Sequence, residues 1–221
     1  CPFLFVLNIV VGTMILAAGA GLSFSREMEK GTFDVLLATR LSSGDIVWLK
    51  LKKLFRTAGV IMLVNAAIGL IFLIGVWCHP DHRAFLRYGN PEWPMILCWL
   101  IAVTPVLAAF FSFTILSGLW ISLLVKSSTR AVGWTITAVA MSAVVPLLVT
   151  VRMNSVFAYY VGPHYWMGAP LMGVTDGPGD VTDVVLGWMI NLWLYGIAAV
   201  CLYSGLWHRF DRLVGRQRGR L

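Results

Sequence analysis

Five stretches of this sequence carry no Asp, Glu, Lys, Arg or His and are each long enough for a bilayer: Pro2–Ser25, Thr57–Trp77, Met95–Val125, Ala131–Val151 and Val184–Trp207. A helix needs about 20 apolar residues to cross the hydrocarbon. Backbone N–H and C=O groups find no water there, so each stretch is read as a helix. The Met95–Val125 run exceeds one straight crossing, and Pro105 inside it permits a kink. Composition excludes the alternative of a water-soluble globule. Only 12% of the 221 residues are charged and 59% are hydrophobic, whereas soluble domains carry about 25% charged residues. The net charge of +7 therefore reads as a mark of membrane orientation, not of a nucleic-acid partner.

A sixth uncharged run, Met153–Thr175, holds Gly162, Pro163, His164, Gly168, Pro170 and Gly173, a composition that breaks helices. Basic residues decide how to treat it. With five crossings, one side of the membrane receives Arg26, Lys30, Arg40, Lys50, Lys52, Lys53, Arg56, Lys126, Arg130, Arg209, Arg212, Arg216, Arg218 and Arg220, and the other only Arg83, Arg87 and Arg152. The positive-inside rule makes the first side cytoplasmic. A sixth crossing would put the basic tail outside, so Met153–Thr175 is expected to be an external re-entrant or interfacial segment. Tyr159, Tyr160, Tyr165 and Trp166 suit that level, as do Trp77, Trp93 and Trp99. The expected localisation is the cell (inner) membrane, multi-pass, with the amino end outside and the carboxyl end cytoplasmic. The basic tail from Arg209 is expected to lie against anionic lipid headgroups. An odd number of crossings beginning outside, with Cys1 in place of methionine, reads as a chain whose first helix is missing. The opening run lacks the basic region of a signal peptide.

The segment Ser25–Arg56, SREMEKGTFDVLLATRLSSGDIVWLKLKKLFR, is richer than a connecting loop requires. Glu27 and Glu29 stand at the membrane exit, and Gly31 permits a sharp turn. Thr32 reads as a helix N-cap, with Asp34 at the positive helix end. Phe33, Leu36, Leu37 and Arg40 then share one face. So short a helix is marginal alone, so its apolar face needs a partner: the bilayer surface, its own chain or another protein. Ser42 and Asp45 form a capping box for the next helix, with Leu41 and Ile46 as its hydrophobic staple. Glu27 and Glu29 point to different helix faces, making them a poor acid–base pair; local pairing of Glu27 with Lys30 is the simplest expectation.

The run Glu27-x-Glu29-x-Gly31-Thr32, followed by Leu36-Leu37-x-Thr39, Leu41-Ser42 and Lys50, resembles the signature of type-2 ATP-binding-cassette (ABC) exporter permeases. Arg40 stands where that family usually has proline, and Leu49 where it usually has glycine. The resemblance implies an all-α polytopic membrane bundle over residues 1–221, the last five helices of a six-helix permease. Residues 26–41 would form a cytoplasmic coupling-helix segment. It further implies that Glu27, Glu29, Gly31, Thr32, Phe33, Leu36 and Leu37 contact a separate cytoplasmic ATPase. A second permease subunit would complete the assembly. ATP and Mg would sit on the ATPase, leaving this chain without cofactor or catalytic residues.

Two absences agree with an outside energy source. The sequence has no G-x-x-x-x-G-K-[ST] phosphate loop. The five crossings also lack the ionisable residues on which proton-coupled carriers depend. Their polar side chains, Asn8, Asn65, Thr104, Ser112, Thr114, Ser117, Ser122, Thr135, Thr137 and Asn191, read mainly as interhelical glue or as groups bonded to their own helix. The Ala17–Gly21 cluster reads as close helix packing. An apolar path would suit a lipid-like cargo. The alternative is an integral membrane enzyme with a metal or histidine site on the external loops, built from His79, Asp81, His82 and His164. A third reading is a membrane subunit that anchors an ATPase without transporting. Cys78 and Cys98 are near enough in sequence for an external disulfide.

Overall fold

The computed structural model describes residues 2–33, 42–78, 93–153 and 181–213. Among them the chain is all-helical, with five helices and no strand: α1 Pro2–Glu29, α2 Ser43–Cys78, α3 Trp93–Leu124, α4 Ser128–Met153 and α5 Val181–Leu213. All five charge-free stretches fall on helices apart from Val125, one residue beyond α3, and every helix runs past its stretch at one end or both. Four are long and apolar enough to cross a membrane, over Leu7–Glu29, Gly44–Ile71, Val103–Leu124 and Met189–His208. That is the make-up of a multi-pass membrane protein. In α4, side chains are described only as far as Ser142. The segment 153–175, expected to be external, lies outside the described residues apart from Met153, at the end of α4.

The chain divides into two compact units, to which every helix contributes. The first comprises Cys1–Val11, Gly59–Ala108 and Ala143–Trp193. Its described core includes Ile9, Ile61, Val103 and Val106, with Asn65 and Asn191 also buried. The Asn65 amide donates to the Ile61 carbonyl of its own helix.

The second unit comprises Gly12–Ala58, Ala109–Ser142 and Leu194–Leu221, and α3 is its most enclosed helix. Phe110, Phe111, Ile115 and Leu119 are all buried. Tyr195 of α5 stands edge-on to Phe110, with ring centroids 5.2 Å apart, and its hydroxyl donates to the Ser142 carbonyl of α4 at 3.2 Å. Trp120 of α3 donates its indole N–H to the Leu202 carbonyl of α5 at 2.8 Å, and a methyl on Gly205 would lie 2.9 Å from its ring.

Small residues set the tightest approach. A methyl on Gly118 of α3 would fall 2.5 Å from Cβ of Ala20 and 3.0 Å from Cγ2 of Thr135, and one on Gly21 would fall 3.2 Å from the Ala131 carbonyl oxygen. Helices α1, α3 and α4 thus meet almost backbone to backbone. In lipid, where burial of an apolar side chain gains nothing over acyl chains, such close packing is what holds helices together. Most hydroxyls bond back to their own helix: Ser25 to Gly21, Thr114 to Phe110, Ser117 to Thr114, Ser122 to Leu119 and Thr135 to Ala131. Of the two roles expected for Thr114, Ser117, Ser122 and Thr135, bonding to their own helix is the one they adopt.

Candidate functional site: the junction of the first two helices

Helix α1 ends in a Schellman motif. Gly31 adopts φ +67°, the left-handed conformation that lacks a steric cost only for glycine. The Gly31 N–H donates to the Met28 carbonyl at 3.2 Å, and the Thr32 N–H to the Glu27 carbonyl at 3.0 Å. These two bonds satisfy carbonyls that a helix end otherwise leaves unpaired. The Thr32 hydroxyl donates to the same Glu27 carbonyl at 3.3 Å. Thr32 therefore closes α1, a role its reading as the cap of a following helix does not include.

Helix α2 opens on the expected capping box. The Asp45 N–H donates to Ser42 Oγ at 3.1 Å, while Asp45 Oδ2 accepts from the Ser42 N–H at 3.1 Å and from its hydroxyl at 2.6 Å. The reciprocal bonds fix where the helix starts. Close by, a methyl on Gly44 would fall 2.6 Å from the ring of Trp207, so the absence of a side chain lets α5 approach.

Between these two ends the acidic pair separates as its spacing requires. Glu27 faces α2 and forms an ion pair with Lys50, both side chains about one-quarter exposed. This partner replaces Lys30, which is exposed in the turn; Lys50 projects from a helix held alongside. Glu27 Oε1 takes the ammonium, and Oε2 is buried without a protein partner. Glu29 faces elsewhere: its Oε2 accepts the N–H of Ser128, the first residue of α4, at 3.3 Å. A carboxylate there meets the positive end of α4. Neither geometry makes the two carboxylates a catalytic pair.

Phe33 is only 6% exposed. Its ring stands edge-on to Phe24 of α1, with centroids 5.9 Å apart, and Phe24 in turn packs on Phe210 of α5 at 5.8 Å. The Lys50 ammonium lies 5.8 Å from the centroid of Phe24, within cation–π range. Phe33 is thus a plug in its own chain, with little of its surface left for another protein. Phe210 and Trp207 enter this junction from residues the motif does not contain, and Lys50 enters from its last position. A signal for Lys50 existed in its spacing with Leu54 and Ala58 on the buried face of α2; Phe210, beyond the last charge-free stretch, offered none.

Of the seven motif residues, the structure brings Glu27, Glu29, Gly31, Thr32 and Phe33 to one junction. Leu36 and Leu37, with Asp34, Arg40 and Leu41, lie outside the described residues. So do His79, Asp81, His82 and His164, and the side chains of Cys78 and Cys98. Among the described residues no group of three His, Cys, Asp or Glu side chains is placed to hold a metal ion. Comparison with known proteins identifies no relative: no family model, no curated protein and no solved structure matches the chain.

Proposed function

We propose that this chain is the transmembrane subunit of an ATP-driven exporter of the type-2 ABC class, moving substrate across the membrane with energy from a separate cytoplasmic ATPase. In this reading all five helices cross, the α1–α2 junction is cytoplasmic, and a second permease subunit completes the path. The observation that carries it is the way both ends of the 33–41 segment are tied into helices. A segment that served only as a connector would not need a Schellman cap, a capping box, an ion pair and an aromatic plug between Glu27 and Lys50.

Those ties define how a displacement would spread. A push on the segment from the cytoplasm reaches α1 through the Gly31 turn and α2 through the Ser42–Asp45 cap. The Glu27–Lys50 pair keeps these two helices in step. Phe33 carries the displacement through Phe24 to Phe210 of α5, and Glu29 carries it to the start of α4. The ATPase supplies the nucleotide chemistry, and this chain converts its closure into helix tilt. Phe33 then acts as the pivot, and contact with the ATPase falls to Leu36, Leu37 and their neighbours.

The test is reconstitution with a stand-alone cassette ATPase that co-purifies with the chain. The wild-type chain is expected to raise the ATPase rate, and the Glu29→Lys, Leu36→Ala double variant to insert normally and lose that stimulation. Full stimulation by the double variant refutes the reading.

A further inference from the structure

Helix α2 carries three basic residues at a level where its neighbour is apolar. A methyl on Gly19 would meet Leu54 Cδ2 at 3.4 Å, so Leu54 is level with the Ala17–Gly21 stretch of α1. Gly19 lies six residues inside Ser25, where the charge-free part of α1 ends, or roughly 9 Å along a helix rising 1.5 Å per residue. Lys52, Lys53 and Arg56 bracket Leu54 and are all exposed. Lys50 is different, because it turns inward to Glu27. Among the described residues no carboxylate pairs with the other three.

The face that bears them is amphipathic in the manner of a membrane interface. Its opposite side, Ile46, Val47, Leu51, Leu54 and Ala58, is buried, while Trp48 and Phe55 are exposed beside the cations. Aromatic rings and basic side chains together mark headgroup depth. Three uncompensated cations at that depth, level with the apolar part of α1, need either to snorkel toward water or to bring anions to them. Three within two turns of one face favour the second.

We infer that Lys52, Lys53 and Arg56 form a binding station for the phosphate of an anionic phospholipid, drawn inward along α2 and flanked by Trp48 and Phe55. Acyl chains then continue along the exposed apolar side of the same helix. The station depends on the chain lying in a membrane and is independent of whether an ATPase docks.

The test uses the full chain alone in nanodiscs of mixed POPG and POPC, with retained lipids counted by native mass spectrometry after mild delipidation. The wild-type chain is expected to retain POPG over POPC, and Lys52→Gln, Lys53→Gln, Arg56→Gln to cut that preference roughly tenfold or more, since each basic residue near an anionic surface contributes severalfold. Removing the same charge at exposed Lys30, Lys126 and Arg130 is expected to cost much less. The charge-keeping Lys52→Arg, Lys53→Arg, Arg56→Lys variant is expected to retain POPG, which separates headgroup loss from misfolding. Equal retention of both lipids by the wild type, or an unchanged preference in the glutamine variant, overturns the station. So does a glutamine variant that keeps its POPG but loses self-association or ATPase capture, which would assign the face to a protein.

Discussion

The seam of α1, α3 and α4 and the junction of α1, α2 and α5 lie in one compact unit yet are held by different physics. At the seam, Gly118, Ala20, Gly21 and Thr135 approach through backbone and methyl groups. At the junction, an ion pair, two helix caps and a chain of aromatic rings do the holding. The difference teaches where each kind of interaction is useful. Within lipid, shape is the cheapest source of specificity, because a polar side chain must find a partner or stay costly. At the helix ends, directional groups fix geometry. A rigid seam below a polar junction is a reasonable design for a lever.

Substitutions can break that comparison at either side. The largest effect is expected from Gly118→Leu, which drives a side chain into Ala20; overpacking of this severity costs about 3 kcal/mol or more, so little folded protein should survive detergent extraction and a thermal scan. Gly133→Leu on α4, where a side chain meets nothing within 4 Å, serves as the control and is expected to fold like the wild type.

Next comes Lys50→Ala, which strands the partly buried Glu27 carboxylate. The expected loss is about 2 kcal/mol, below that of a fully buried pair because both side chains keep some water. Adding Glu27→Gln is expected to restore part of it, and a double-mutant cycle read by thermal unfolding measures how much. Phe33→Leu should cost less, about 1 kcal/mol from the lost edge-to-face contact. Under the proposed function it should lower ATPase stimulation more than it lowers stability. The smallest shift is expected from Ser42→Ala, which removes one cap from a long helix whose buried face holds it in place; the midpoint of unfolding should move by only a few degrees.

Much of this was legible in the sequence, for reasons that differ by residue. The helices follow from charge-free runs because the bilayer tolerates no other backbone state. The Gly31 turn and the Ser42–Asp45 box follow from local chemistry, since each bond joins residues at most five apart. Lys50 was marked by its place on the buried face of α2, but the pairings of Glu27 with Lys50 and of Phe24 with Phe210 were not legible. Lys50 is twenty-three residues from Glu27, and Phe210 lies at the far end of the chain from Phe24. Such pairings depend on the register between helices, which small residues such as Gly19 and Gly44 set through close approach. A one-dimensional pattern marks those glycines without saying what they meet. Thr32 shows the same limit on a smaller scale: its hydroxyl donates to the end of α1, a bond its reading as a cap did not include.

The account rests on a cytoplasmic ATPase gripping the segment that follows Phe33. Single cysteines at Leu36 and Leu37, in a chain otherwise free of cysteine, can be crosslinked in native membranes to the co-expressed ATPase and probed with a membrane-impermeant thiol reagent from each side. The expected result is an ATPase adduct whose yield changes with bound nucleotide, together with labelling from the cytoplasmic side alone. Labelling from the outside, or free labelling with no adduct while the complex hydrolyses ATP, contradicts the account.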